Sequence, residues 1–165
     1  MMLAARMARA PLKIDLVVES ETWKEAKEAA AMAQRAVIEA AAMLSTPSSE
    51  LAMVLTDDSA IRSLNRAWRG VDTATNVLSF PTKHAGGKPL LIGDIVLAYE
   101  TIAGEARTQG KPFAHHVAHL AVHGFLHLLG YDHVQRKDAE AMERLERAAL
   151  RRLAIPDPYR HAGKA

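Results

Sequence analysis

The sequence predicts an α+β fold, a small mixed four-stranded sheet packed with helices. Three observations predict it. Four short apolar runs, at 11–18, 51–55, 77–80 and 91–99, carry the alternation or branched side chains of strands. Longer segments between and after them repeat apolar residues at helical spacing. The two kinds of segment mix without a regular βαβ rhythm. At 165 residues and 49% hydrophobic composition, the chain suits one domain with a real core.

The elements follow in order. In the first run Leu12, Ile14 and Leu16 share a face, with Val17 and Val18 after them. Glu21 to Leu44 reads as one long alanine-rich helix, its acids early and Pro47 after its end. Leu51 to Leu55 is the second strand. Thr56 or Asp57 can cap the next helix, where Ile61, Leu64 and Trp68 recur at helical spacing. Residues 69–76 are polar and irregular. Val77 to Phe80 is a short strand stopped by Pro81, and 83–89, with Gly86-Gly87, reads as a turn. The strand at 91–99 is interrupted by Gly93-Asp94. Helices are expected at 99–108, at 113–129, where the last ten residues are apolar almost all round, and at 138–153. The last carries a stripe of Ala139, Met142, Leu145, Ala149 and Leu153, with Glu140–Arg144 and Glu143–Arg147 pairs on its wet face.

Residues 1–10 are alanine-rich and basic, without the apolar centre of a signal peptide, and are expected to form a loose extension, with Met7 an alternative start. Residues 11–153 are expected to be the domain and 154–165 a polar tail. The absence of cysteine excludes disulfides and leaves nitrogen and oxygen ligands for any transition metal. It fits a cytoplasmic location. A net charge of +2, from 21 basic and 19 acidic residues, restricts any nucleic-acid site to a local patch. No apolar run reaches the roughly 20 residues of a membrane span.

The richest stretch is 123–133, with the spacing His-x-x-x-His-x-x-Gly-x-x-His. A helix puts His123 and His127 on one face. Gly130 can leave the helix in a left-handed conformation and swing His133 back. Three neutral imidazoles with one open position describe a catalytic Zn²⁺ site, although Ni²⁺, Cu²⁺ and Co²⁺ suit imidazole too. The spacing matches the metzincin proteases, whose first histidine is followed by a glutamate acting as base. Here that position is Gly124, which counts against peptide hydrolysis; a protease would need a base elsewhere, such as Glu143 or Asp94. His119 is open to three roles: fourth ligand, orienting partner or substrate contact. A packed or partly wet histidine is expected at His115, His116 and His119 alike. Asp132 is either an acceptor that orients an imidazole or a turn residue.

A second polar cluster runs from Asn65 to Pro81. Arg69 offers a planar fork suited to phosphate, the alternative being an arginine that caps its helix. RNA contacts are expected from Arg66, Arg69, Lys83, Lys88 and the loop near Asn76. With 5% aromatic residues, base stacking should be limited.

Taken together, Thr75-Asn76-Val77-Leu78-Ser79-Phe80-Pro81, Gly93-Asp94-Ile95-Val96, His119 to His133 and the Ala139 to Glu146 pattern resemble the YbeY family of bacterial rRNA maturation factors. The resemblance covers about residues 11–153. It implies a metal-dependent endoribonuclease specific for single strands, acting in 16S rRNA 3′-end maturation and ribosome quality control. It implies Zn²⁺ on the three histidines and a functional arginine at Arg69. The expected partners are the 16S rRNA precursor, the small ribosomal subunit and assembly factors such as the Era GTPase, with no membrane. The alternatives are a non-catalytic ribosome assembly factor with a stabilising metal and a metzincin-like metalloprotease.

Overall fold

The structure, a computed structural model, describes residues 12–82 and 90–160. The expected extension at 1–10 and turn at 83–89, with Lys83 and Lys88, lie outside the described residues. Four strands, β1 (Leu12–Val18), β2 (Ser49–Thr56), β3 (Val77–Pro81) and β4 (Leu90–Ala98), form one sheet in the order β1-β2-β4-β3. β2 runs parallel to β1 and β4, and β3 runs antiparallel to β4. Among the described residues five α-helices complete it: α1 (Lys27–Met43), α2 (Asp58–Arg69), α3 (Tyr99–Gln109), α4 (Phe113–Leu128) and α5 (Arg136–Arg151). This is the mixed four-stranded α+β architecture expected from the sequence.

Alternation along β4 explains the layering. Ile95 and Leu97 join Leu51, Met53 and Leu55 of β2 in the main core, which α1, α4 and α5 cover. Val96 and Ala98 point the other way and pack with Leu78 and with Ile61 of α2. β4 is therefore buried on both faces, whereas edge strand β1 leaves Val17 and Val18 partly exposed. α1 and α4 share the most extensive helix contact. Ala33, Ala36 and Ala40, all fully buried, let the two backbones approach closely.

Three local features differ from the sequence reading. The helix expected over 21–44 is split into a 3-10 turn, Glu21–Glu25, and α1. Trp23 lies on that turn, 1% exposed, its Nε1 donating to the Thr56 carbonyl at 2.8 Å and its ring packed on Tyr99 and Phe113. This tertiary anchor overrides the helix propensity of the run. Gly93-Asp94 does not break β4. The pairing with β2 instead skips a residue beside Glu50 and Leu51, and Gly93 adopts φ +138°. A β-carbon there would collide with the Phe80 carbonyl and lie 2.9 Å from Leu128, so the glycine permits close passage of β3 and α4. On α5, Glu140 pairs with Arg136 rather than Arg144, while Glu143–Arg147 forms as expected. Packing also continues past Leu153, with Ile155 in the core.

α2 and α3 cap one another. Asp57 accepts from Ala60 N in the usual N-cap bond at 2.9 Å. Asp58 then reaches across and accepts from Thr101 N of α3 at 3.0 Å, while Glu100 of α3 accepts from Asp58 N at 2.9 Å. Ala98, at the N-cap of α3, has no side chain to do this.

Candidate metal centre

The site is built on the last two turns of α4 and the turn that ends it. The Gly130 amide donates to the His127 carbonyl and the Tyr131 amide to the Leu126 carbonyl, at 3.0 and 3.1 Å, with Gly130 at φ +98°. This is a Schellman ending, which requires a left-handed residue at that position. It turns the chain so that His133 meets the two helical histidines. Ring centroids lie 4.6 Å apart for His123–His127, 5.4 Å for His123–His133 and 5.1 Å for His127–His133. One nitrogen from each falls within 4.8 Å of the others.

Hydrogen bonds fix which nitrogens are free. His127 Nδ1 is 2.9 Å from the Tyr131 carbonyl, which can only accept, so Nδ1 carries the proton and neutral Nε2 keeps its lone pair. His123 Nδ1 donates to Glu146 Oε2 at 2.7 Å, which leaves its Nε2 bare as well. The two bare Nε2 atoms face each other at 3.1 Å. Two acceptors that close repel unless a cation lies between them. Zinc–imidazole bonds of about 2.0–2.1 Å in a tetrahedron separate nitrogens by roughly 3.3 Å. The donor set therefore fits a divalent transition metal.

Glu146 organises this set from α5. It is fully buried, and its Oε1 also accepts from His119 Nε2 at 2.7 Å and from the Tyr159 hydroxyl. Burial alone would raise its pKa. Hydrogen bonds from His119 and His123, with the Tyr159 hydroxyl, overcome that and bring it to about 2. Burial and the charge of Glu146 push the Tyr159 phenol upward, so it stays a donor. Burial lowers His127, assisted by neighbouring His123 and His133, which keeps its imidazole neutral. The sequence reading did not single out Glu146 as a site residue. Its signal was present: a carboxylate on the apolar stripe between Met142 and Leu150.

The remaining residues fall as follows. Gly124 carries no carboxylate and has no room for one, because a β-carbon would lie 3.0 Å from Ile95, 3.1 Å from Ser79 Oγ and 3.2 Å from Val77. Ser79 Oγ donates to the Gly124 carbonyl at 2.9 Å, pinning β3 beside the site. Arg69 donates to the Ser79 carbonyl at 3.0 Å and lies 5.9 Å from the centre of the Phe80 ring. It thus reaches α4 through Ser79. Arg66 is exposed on α2. Asn76 donates to Glu105, 2.9 Å away, which also binds His116 Nε2 at 2.9 Å. Asp132 accepts from Val134 N and is a turn residue. His119 orients Glu146 and stands outside the three-histidine cluster. His116 is buried against Glu105, and burial lowers its pKa against the pull of that carboxylate. His115 is half-buried and lines a groove of about 910 Å³ together with His119 and Tyr159. Among the described residues, no helix is long and apolar enough to cross a membrane.

The family model described as Endoribonuclease YbeY matches residues 16–154. A protein named Endoribonuclease YbeY from Rhodopseudomonas palustris (strain BisA53) is 47% identical over 166 residues, covering 96% of each chain. One of the same name from Nitrobacter hamburgensis is 50% identical over 153 residues, covering 88% of this chain and 80% of the relative. The solution structure of TM1509 from Thermotoga maritima shares the fold, with a TM-score of 0.54 and 22% identity over 92% of this chain and 99% of that one. A family match over residues 16–154, together with relatives near half identity, leads to one conclusion: the chain belongs to the YbeY family of endoribonucleases.

Proposed function

We propose that this protein is a metal-dependent endoribonuclease that cuts single-stranded RNA. The observation that carries the reading is the pair of bare Nε2 atoms of His123 and His127, with His133 beside them. We assign these three histidines as ligands of one Zn²⁺, or of another divalent transition metal. Such an ion supplies Lewis acidity toward a phosphoryl oxygen and acidifies water near neutral pH.

The chain's own residues supply position and charge. Glu146 and the Tyr131 carbonyl hold the ligand imidazoles in the right tautomer. Arg69, anchored at the Ser79 carbonyl, keeps guanidinium N–H groups for the negative charge that develops on the phosphoryl oxygens. Arg66, exposed on α2, contacts the RNA, and Asn76 contacts it only by giving up its bond to Glu105. The packed Gly124 position leaves no base of the protease kind; the nucleophile is a water or the RNA's own 2′-OH, and either must pass its proton to another acceptor. In the cell we place the activity in the cytoplasm, in 3′-end maturation of 16S rRNA and in ribosome quality control. Its partners there would be the small ribosomal subunit and assembly factors such as the Era GTPase.

Cleavage of a defined single-stranded RNA by metal-quantified wild type, His127→Ala and Arg69→Ala tests this. His127→Ala should lose metal and cleavage together. Arg69→Ala should keep its metal and cut about 10²-fold more slowly. Full cleavage by Arg69→Ala would remove that residue from catalysis. Metal-loaded wild type that leaves RNA intact would favour the non-catalytic assembly factor, and one that instead cuts peptides would favour the protease.

A further inference from the structure

Residues 155–160 follow the last helix, yet they are tied down at several points. Ile155 is buried in the core. Lys111 Nζ donates to the Pro158 carbonyl at 2.6 Å. Arg147 Nε donates to Asp157 at 3.1 Å, and its guanidinium lies 5.3 Å from the centre of the Tyr159 ring. The Tyr159 amide donates to Asp157 Oδ1 at 2.9 Å. The same ring meets His119 edge-on at 5.3 Å. These contacts bring the Tyr159 hydroxyl to Glu146.

The carboxylate accounting shows what the hydroxyl does there. Glu146 Oε2 has one donor, His123 Nδ1. Oε1 has two, His119 Nε2 and the Tyr159 O–H, and the hydroxyl oxygen lies 3.3 Å from His119 Nε2 as well. A carboxylate held at both oxygens has a fixed plane, which sets the direction in which His123 points. Without the hydroxyl, Oε1 keeps only His119, so two donors instead of three hold the carboxylate and its plane is less tightly fixed.

We propose that Tyr159 is a positioning residue: by fastening Glu146 it orients His123, so that the C-terminal strap sets how tightly the histidine cluster holds a metal. The proposal rests on reading His123, His127 and His133 as ligands. It assigns to residues beyond the last helix a part in the site that neither the histidine spacing nor the groove beside them announces. Partners one step behind a ligand change affinity about 10- to 100-fold, and a residue acting through such a partner belongs near the lower end.

The test uses full-length, metal-free Tyr159→Phe, which keeps the ring and removes only the hydroxyl. Competition between the protein and a chromophoric chelator for Zn²⁺ should show about tenfold weaker binding than wild type. In ¹⁵N-imidazole spectra of the metal-free proteins, the His123 nitrogens should shift. His127 Nδ1 should shift less, because the Tyr131 carbonyl holds that side of the ring independently. A strap that merely stabilises the fold predicts a lower unfolding temperature with unchanged affinity and unchanged His123 signals, and that result overturns the proposal. If wild type and His133→Ala take up no metal alike, the ligand reading fails. The His123 signals of Tyr159→Phe then still decide whether the strap positions that imidazole.

Discussion

Gly124 shows how one residue can be read twice. In the sequence it is a missing base; in the structure it is the surface on which β3 lies. Ser79, Val77 and Ile95 all approach within 3.2 Å of where a β-carbon would be. Gly124→Ala should therefore destabilise the metal-free protein by about 1–3 kcal/mol through overpacking. Urea denaturation measures this, and unchanged stability would show that β3 can move aside. The three histidines were legible because a helical repeat and one left-handed glycine are local facts. Glu146 and Tyr159 were not, because their partners come from other elements and only packing brings them together. Nor did the sequence show that Asn76 is already engaged by Glu105.

At the scale of elements, most strands and helices were legible from apolar spacing, and their types agree with the structure. The exception is the start of the long alanine-rich helix. Propensity favoured continuing it, and the bond from Trp23 to Thr56 decided otherwise. The capping of α3 was hidden for a similar reason: its cap comes from α2, forty-odd residues earlier. Asp58→Ala should cost about 1–2 kcal/mol, more than a surface substitution, because it removes the acceptor for Thr101 N. Thermal unfolding followed by circular dichroism would check this, with Asp58→Asn, which keeps an acceptor, expected to recover part of the loss.

The whole molecule should be sensitive to acid in two stages. His116 and His127 have folded pKa values below the ordinary imidazole value of 6.5. The folded state then binds fewer protons than the unfolded chain just below pH 6.5, and stability falls as pH drops through that window. Glu146 is likewise depressed, from 4.5 to about 2. Its contribution, on the order of 3 kcal/mol, is complete above about pH 4.5 and is lost as pH falls toward 2. Denaturation midpoints of the metal-free protein at pH 7, 5 and 3 should decrease in that order. A flat profile from pH 5 to 3 would mean that the buried carboxylate is not held ionised. The sheet order and the two-sided burial of β4 were not readable from the sequence, since alternation gives faces and not neighbours.

The short span of the histidines also orders events in time. All three lie within eleven residues and are brought together by one helix end. Closing so small a loop takes little entropy. A growing chain can thus gather the three imidazoles once residue 133 has emerged, before α5 and the strap exist. Glu146 and Tyr159 lie 13 and 26 residues beyond His133, so the grip tightens only after they too have emerged.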